Sequence, residues 1–364
     1  MTFATIRVLV VDDSAVMRQR LREWIESDPG MTVVATAGDG REALEQLATH
    51  RPDVVTLDVQ MPTMDGLAAL DAIFAKQPTP VVMVSSLTGS GAQATFDALD
   101  RGAIDCVRKP DPSASTHAVF RAELLQKIRA AARVDMQRLL AIRRQRKTEN
   151  AESTLAEPMA STLNADAVDR LATVVVTIGI STGGPSALSA LFRSLEPPMP
   201  PIVVVQHMPR GFTAPLAARL DGLTSLLVRE AAAGDAIQPD GAWIAPAGRH
   251  LILRRVGQQV RVVLSDAPPQ SGHRPSIDVM MESAAKTFPQ HCLGVLMTGM
   301  GRDGVAGCAA IHRAGGRVLG QDEATSDVYG MNKAACQAGW VDREVPLDLL
   351  ADAFGVEIRR LLAS

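Results

Sequence analysis

Short β-branched runs alternate with amphipathic stretches along this chain, twice over, and a polar interval separates the two series. IRVLVV, MTVVATA, DVVTLDV, PVVMVSS and AIDCVRK fall between Ile6 and about Arg133, each followed by a segment of helical periodicity. Strands that are apolar on both faces and joined by helices close into a parallel sheet covered on both sides. Residues 1–133 are therefore expected to form one doubly wound α/β domain on a five-stranded parallel sheet. The interval 134–170 reads as a linker, its central TENAESTLAEPMASTLNADAVD being poor in large apolar side chains and rich in Ala, Ser, Thr and Glu. From Leu171 the alternation restarts with TVVVTIGI, PIVVVQH, GAWIAPA, HLILRRV, QVRVVLS, CLGVLMTG and GRVLGQD. Residues 171–364 are expected to form a larger doubly wound α/β domain, with a β-hairpin insertion around residues 242–264.

Composition narrows the function classes. With 37 basic against 40 acidic side chains, the chain has no polycationic face, and nucleic acid is not an expected partner. The opening MTFATIRVLVVDDS enters a strand within a few residues and lacks a signal-peptide pattern, and no apolar run is long enough to span a bilayer. No membrane insertion is expected. Cys106, Cys292, Cys308 and Cys336 are scattered and form no C-x-x-C pair, a usage that fits a reducing cytoplasm.

In the first series, Asp12 and Asp13 end the first strand, Asp58 the third, Ser85 the fourth and Lys109 the fifth. Ligand sites of open parallel sheets lie outside the carboxyl ends of the strands, so these side chains should converge there. Three carboxylates together repel unless a divalent cation joins them, and hard oxygen donors suit Mg²⁺. Asp58 is then the candidate phosphoryl acceptor, with Lys109 neutralising the transferred charge. The simpler reading, that Asp13-Ser14 and Asp58 cap the helices that follow, does not account for Ser85 and Lys109 at two further strand ends. The motifs VDDS, LDVQMPTMDG, MVSS and KP make residues 5–130 resemble response-regulator receiver domains. That resemblance implies a Mg²⁺-dependent phosphoaspartate at Asp58, metal-site acids Asp12 and Asp13, a sensing hydroxyl on Ser85 and an ion pair from Lys109. Three residues before the lysine, where the family usually carries an aromatic side chain that swings on activation, stands Cys106. A small thiol cannot make the same swing.

In the second series, VTIGISTGGPSAL places Ser181 on a sharp turn between a strand and a helix. Gly179 to Gly183 matches G-x-S-x-G, which lifts a serine hydroxyl above the sheet edge; a glycine-rich turn before a helix also binds anions with no nucleophile. A serine nucleophile needs a base held by a third group. Among His207, His250, His273, His291 and His312, His207 follows PIVVVQ at the same carboxyl edge and is favoured. His250 and His291 begin strands, which puts them at the opposite edge; His312 falls in a helix, and His273 in a loop that can reach the pocket. VLMTGMGRDGVAG puts Asp303 after another apolar strand at a helix start, either as the acid or as a cap for that helix, with a backbone N–H at Met300 free for an oxyanion.

A receiver domain followed by GISTGG, VVVQHMP, HRPSID, TGMGRDG and DEATSDVYGM resembles the chemotaxis-specific protein-glutamate methylesterases over nearly the whole chain. The resemblance implies nucleophile, base and acid at Ser181, His207 and Asp303, an oxyanion donor on the Met300 backbone, and a histidine-orienting Thr182. It also implies methyl-accepting chemoreceptors as substrates, a chemotaxis histidine kinase as phosphodonor, deamidation of selected glutamines, and a receiver that restrains the active site until phosphorylated. The order Ser, His, Asp is not that of α/β-hydrolases. Ile180, Asp327 and Asn332 depart from the family pattern, where alanine, an apolar residue and proline are usual. The alternative to an esterase is a non-catalytic, phosphorylation-switched receptor-binding adaptor, which His207→Ala would leave indifferent.

Overall fold

A computed structural model describes residues 5–86, 89–110, 114–141 and 170–363. Most of the polar interval, 142–169, lies outside the described residues. The chain divides into two compact units between Ala156 and Glu157.

The first unit holds β1 (Ile6–Val11), β2 (Met31–Ala37), β3 (Val54–Asp58), β4 (Val81–Ser85) and β5 (Asp105–Arg108). Between and after them run α1 (Ala15–Glu26), α2 (Gly40–His50), α3 (Gly66–Lys76), α4 (Gly89–Arg101) and α5 (Ala114–Ala131). The five strands pair in parallel in the order β2-β1-β3-β4-β5. Val8 to Val11 are all buried, as a sheet covered on both faces requires. A further helical stretch at 136–141 packs Met136 and Leu139 onto this core. Chain order reverses between β1 and β3, which opens a crevice at their carboxyl ends.

The second unit is built on β6 (Val175–Ile180), β7 (Ile202–Gln206), β8 (Leu227–Glu230), β9 (Gly241–Ile244), β12 (Cys292–Leu296), β13 (Arg317–Gln321) and β14 (Arg343–Val345). These seven strands form one sheet in the order β14-β13-β12-β6-β7-β9-β8, and every pair is parallel. Its helices are α6 (Gly184–Arg193), α7 (Thr213–Asp221), α8 (Ile277–Thr287), α9 (Val305–Arg313), α10 (Met331–Gln337) and α11 (Leu350–Ala363). Here the reversal falls between β6 and β12. The expected doubly wound architecture is present in both units, but GAWI belongs to the main sheet as β9. The hairpin is confined to β10 (His250–Val256) and β11 (Gln259–Ser265), which form a two-stranded sheet apart from the main one, β11 being bridged also by Ala236. Edge strands β8 and β14 were not anticipated from sequence.

The hairpin matters because of what it covers. Leu251, Leu253, Val260 and Val262 pack with Met280, Met281 and Ala284 of α8 in one buried cluster. The Ser283 hydroxyl accepts the Leu253 N–H at 2.9 Å. The insertion therefore anchors α8, whose first turn points at the crevice beside β6 and β12. No described helix is long and apolar enough to cross a membrane.

Candidate active site

Ser181 is the first residue beyond β6. Its N–H donates to the Thr298 carbonyl at 3.0 Å, which continues the β6–β12 ladder past the strands. His207 is the first residue beyond β7 and donates its N–H to Ile180 at 3.1 Å. Buried Gln206 ties the two ends together, its side-chain amide donating to the carbonyls of Ser181 and His207 at 2.9 Å each. The result is a line of side chains: Ser181 Oγ lies 3.2 Å from His207 Nδ1, and His207 Nε2 lies 2.9 Å from Asp303 Oδ2. A carboxylate only accepts, so Nε2 carries the proton and Nδ1 presents its lone pair to the serine. The expected trio is thus brought together, with the imidazole working through Nδ1.

Asp303 does more than face His207. Its two oxygens also accept the Ser276 hydroxyl at 2.8 Å, the Ile277 N–H at 2.8 Å and the Asp278 N–H at 3.1 Å. These donors form the start of α8, not of α9, the helix that Asp303 precedes. The cap expected of Asp303 is therefore real but belongs to another helix; α9 begins at Gly304 with no side-chain cap. Burial alone would push the Asp303 carboxyl up, but hydrogen bonds from His207 and the α8 amides, with the His207 charge, hold it well below the usual carboxylate range. The acid stays ionised wherever the imidazole needs it.

The Thr298–Met300 turn closes the third side. A Cβ on Gly299 would come within 2.6 Å of Ser181 Cβ and 2.5 Å of Met331 Cε, so the turn lies directly against the serine. Among the described residues the Met300 N–H has no acceptor. Buried Thr182 is fixed through its carbonyl, which accepts the Thr298 hydroxyl at 3.0 Å. Behind the turn, Thr298 N–H donates to Gln321 Oε1 at 2.9 Å, and the Asn332 amide donates to Gln321 O at 2.7 Å and Ser326 Oγ at 2.8 Å. Asn332, the residue standing where proline is usual, thus supports the turn from below. Gly299→Ala should lower serine reactivity by about 10²-fold by displacing either the turn or the hydroxyl. Turnover measured beside a melting curve would show whether reactivity falls ahead of stability.

His273 reaches the site: its ring stacks on His207 with centroids 3.8 Å apart and planes 1° from parallel. His291 precedes β12 at the far edge, and His312 lies in α9 against the Trp340 ring at 5.7 Å. His250 requires a correction. It begins the separate hairpin, where its Nε2 meets Pro268 O at 3.1 Å and its Nδ1 accepts the Ser276 N–H at 3.2 Å, one residue removed from Asp303. The contributions of Gln206, Ser276 and His250 depend on tertiary approach and carry no spacing signal of their own.

In the first unit Asp12, Asp13 and Asp58 each offer an oxygen within 4.8 Å of the others. Lys109 Nζ lies 2.7 Å from Asp12 Oδ2 and 2.7 Å from Asp58 Oδ2. Three carboxylates around one ammonium leave net negative charge, and the buried Asp12 Oδ2 receives no well-directed hydrogen bond. That donor set fits a hard divalent cation such as Mg²⁺. Helix α3 is capped by Asp65, so Asp58 is not a cap. Burial raises the Asp58 carboxyl above its ordinary value against the pull of Lys109. Burial also opposes the Lys109 charge, but Asp12 and Asp58 outweigh it and hold the proton on. Ser85 is buried at the adjoining strand end, its hydroxyl donating to Ser86 O at 3.1 Å. Cys106 is buried in β5, its thiol pushed up to about 12 by burial.

Comparison with known proteins identifies both domains. Residues 8–120 match the response regulator receiver domain, and residues 176–354 match the CheB methylesterase domain. The protein-glutamate methylesterase/protein-glutamine glutaminase 2 of Xanthomonas axonopodis pv. citri is 44% identical over 344 residues, which are 94% of this chain and 98% of that one. The protein-glutamate methylesterase/protein-glutamine glutaminase of Geobacillus kaustophilus is 43% identical over 96% of this chain and 97% of its own. The Thermotoga maritima CheB methylesterase catalytic domain superposes with a TM-score of 0.49 at 37% identity, covering 50% of this chain and 96% of that one. With the receiver first, the methylesterase domain second, and relatives at 43–44% identity over 94–96% of its length, the chain belongs to the CheB methylesterase family.

Proposed function

We propose that the second domain hydrolyses γ-methyl esters of glutamyl side chains on methyl-accepting chemoreceptors, and deamidates selected receptor glutamines, by a Ser-His-Asp mechanism in the cytoplasm. The observation that carries this reading is the unbroken line from Ser181 Oγ through both His207 nitrogens to Asp303, at 3.2 and 2.9 Å. His207 Nδ1 takes the serine proton as Oγ attacks the ester carbonyl, and Asp303 stabilises the imidazolium that forms. The Met300 N–H receives the tetrahedral oxyanion, and Thr182 helps to orient His207. Collapse of that intermediate breaks the bond to the methoxy oxygen, which leaves as methanol with the proton from His207. Water, deprotonated by the same imidazole, then releases free glutamate and restores Ser181. With an amide the leaving group is ammonia and the steps are otherwise the same, in keeping with the double name of the relatives.

Control is assigned to the receiver. Asp58 accepts a phosphoryl group from a chemotaxis histidine kinase, Lys109 pairs with the added charge, and the Ser85 hydroxyl turns from Ser86 O toward it. Asp12, Asp13 and Asp58 would hold Mg²⁺, whose charge offsets that of the phosphoryl oxygens. Phosphorylation then relieves the restraint on the esterase. A small phosphodonor with Mg²⁺ should raise ester hydrolysis on the order of tenfold, and Asp58→Asn should remove that rise. Stimulation that survives in Asp58→Asn would rule out Asp58 as the switch.

A further inference from the structure

Asp303 owes its position to an exchange between two helices, and the other party is a residue with no contact to Ser181 or His207. Asp303, on the turn leading into α9, takes the donors at the start of α8. In return Asp278, in the first turn of α8, accepts the Gly304 and Gly307 N–H groups at the start of α9, both on Oδ1 at 2.8 Å. Each acid caps the helix that carries, or directly follows, the other. The first N–H groups of a helix have no partners within it, so each exchange satisfies buried donors that would otherwise be orphaned. The two helices also meet as closely as glycine permits. A Cβ on Gly307 would stand 2.6 Å from Met281 Cβ and 3.3 Å from Asp278 Cα.

We infer that Asp278 is a positioning residue for the catalytic acid, locking α9 to α8 so that Asp303 Oδ2 stays in line with His207 Nε2. Without its carboxylate the Gly304 and Gly307 amides lose their acceptor, and the turn carrying Asp303 is free to shift by a fraction of an ångström. Asp278 is itself nearly fully buried, and burial with the adjacent Asp303 charge pushes its carboxyl above the usual carboxylate range. Cys308 of α9 also feels its charge, but the thiol is held protonated by burial. What the clasp needs from position 278 is an acceptor oxygen rather than a full charge, so asparagine should serve there and alanine should not.

The inference rests on the serine-nucleophile reading, and the test separates the two. Full-length wild type, Asp278→Ala, Asp278→Asn, Asp303→Ala and the Asp278→Ala/Asp303→Ala double variant are compared for the rate at which a fluorophosphonate labels Ser181, with Ser181→Ala as blank. Methanol release gives kcat and KM in parallel. Asp278→Ala should label about 10²-fold more slowly, with the loss in kcat and not KM, while Asp278→Asn stays close to wild type. In the Asp303→Ala background Asp278→Ala should cost nothing more, since its effect passes through Asp303. Should the alanine protein fail its melting curve, Asp278→Ser is read in its place. Labelling of Asp278→Ala at the wild-type rate, or an equal loss with and without Asp303, overturns the inference. A wild-type protein that does not label overturns the serine reading and the inference with it.

Discussion

Ser181→Ala should lower methyl-ester turnover by about 10⁶-fold while leaving the melting temperature essentially unchanged. The size of the loss follows from the geometry: Ser181 Oγ is the atom His207 Nδ1 faces, and no other hydroxyl is described against that nitrogen. Water entering the vacated space would still meet the imidazole and the Met300 N–H, so hydrolysis should persist about 10³-fold to 10⁴-fold above the uncatalysed rate. The fold is spared because Ser181 is held by its backbone. Its N–H extends the ladder to Thr298, and its carbonyl accepts from Gly184 N–H and the Gln206 amide. Turnover and melting measured on the same preparation decide the matter, and a variant that keeps appreciable turnover would remove Ser181 from the mechanism.

Asp303→Asn should cost about 10⁴-fold in kcat, and unlike the serine variant it should also destabilise the domain. Asparagine has one acceptor oxygen and one NH₂ group, whereas Asp303 accepts donors on both oxygens: the Ser276 hydroxyl and Asp278 N–H on Oδ1, the Ile277 N–H and His207 Nε2–H on Oδ2. Either orientation of the amide sets its NH₂ against donors. If it faces His207, it favours the proton on Nδ1 and the base is lost; if it faces Ser276, the start of α8 loses its cap. Leaving buried donors unmatched costs about 1–3 kcal/mol, which lowers the melting temperature of a domain this size by several degrees. A loss of kcat without a fall in melting temperature would mean that Asp303 does not cap α8. A fall in melting temperature with kcat retained would mean that it does not serve His207.

Much of this was legible because parallel α/β folds convert sequence position into location. Val8 to Val11 and Val175 to Ile180 are mostly apolar and buried throughout because both faces of their sheets are covered, and a residue just beyond such a run stands at the carboxyl edge. Asp12, Asp58, Lys109, Ser181, His207 and Asp303 were all placed by that rule. The rule fails where the chain leaves the main sheet. HLILRRV looks like any other strand, yet it pairs only with its hairpin partner, and His250 at its start is carried to Ser276 and not to the sheet's far edge. Edge strands β8 and β14 are short and at least half charged, LVRE and REV, and have one neighbour each, so nothing demands an apolar run. The cap that Asp303 gives to α8 was hidden because a helix start normally takes its cap from the residue just before it. Ser276 occupies that place for α8, and Asp303 adds to it from a distance that only the fold reveals.

The most direct measurement is methanol release from methylated chemoreceptor membranes, with wild type and Ser181→Ala side by side, each with and without Mg²⁺ and acetyl phosphate. Release by wild type alone, rising with the phosphodonor, is the predicted result. No release beyond that of Ser181→Ala under either condition, from protein shown to be folded, would contradict the account.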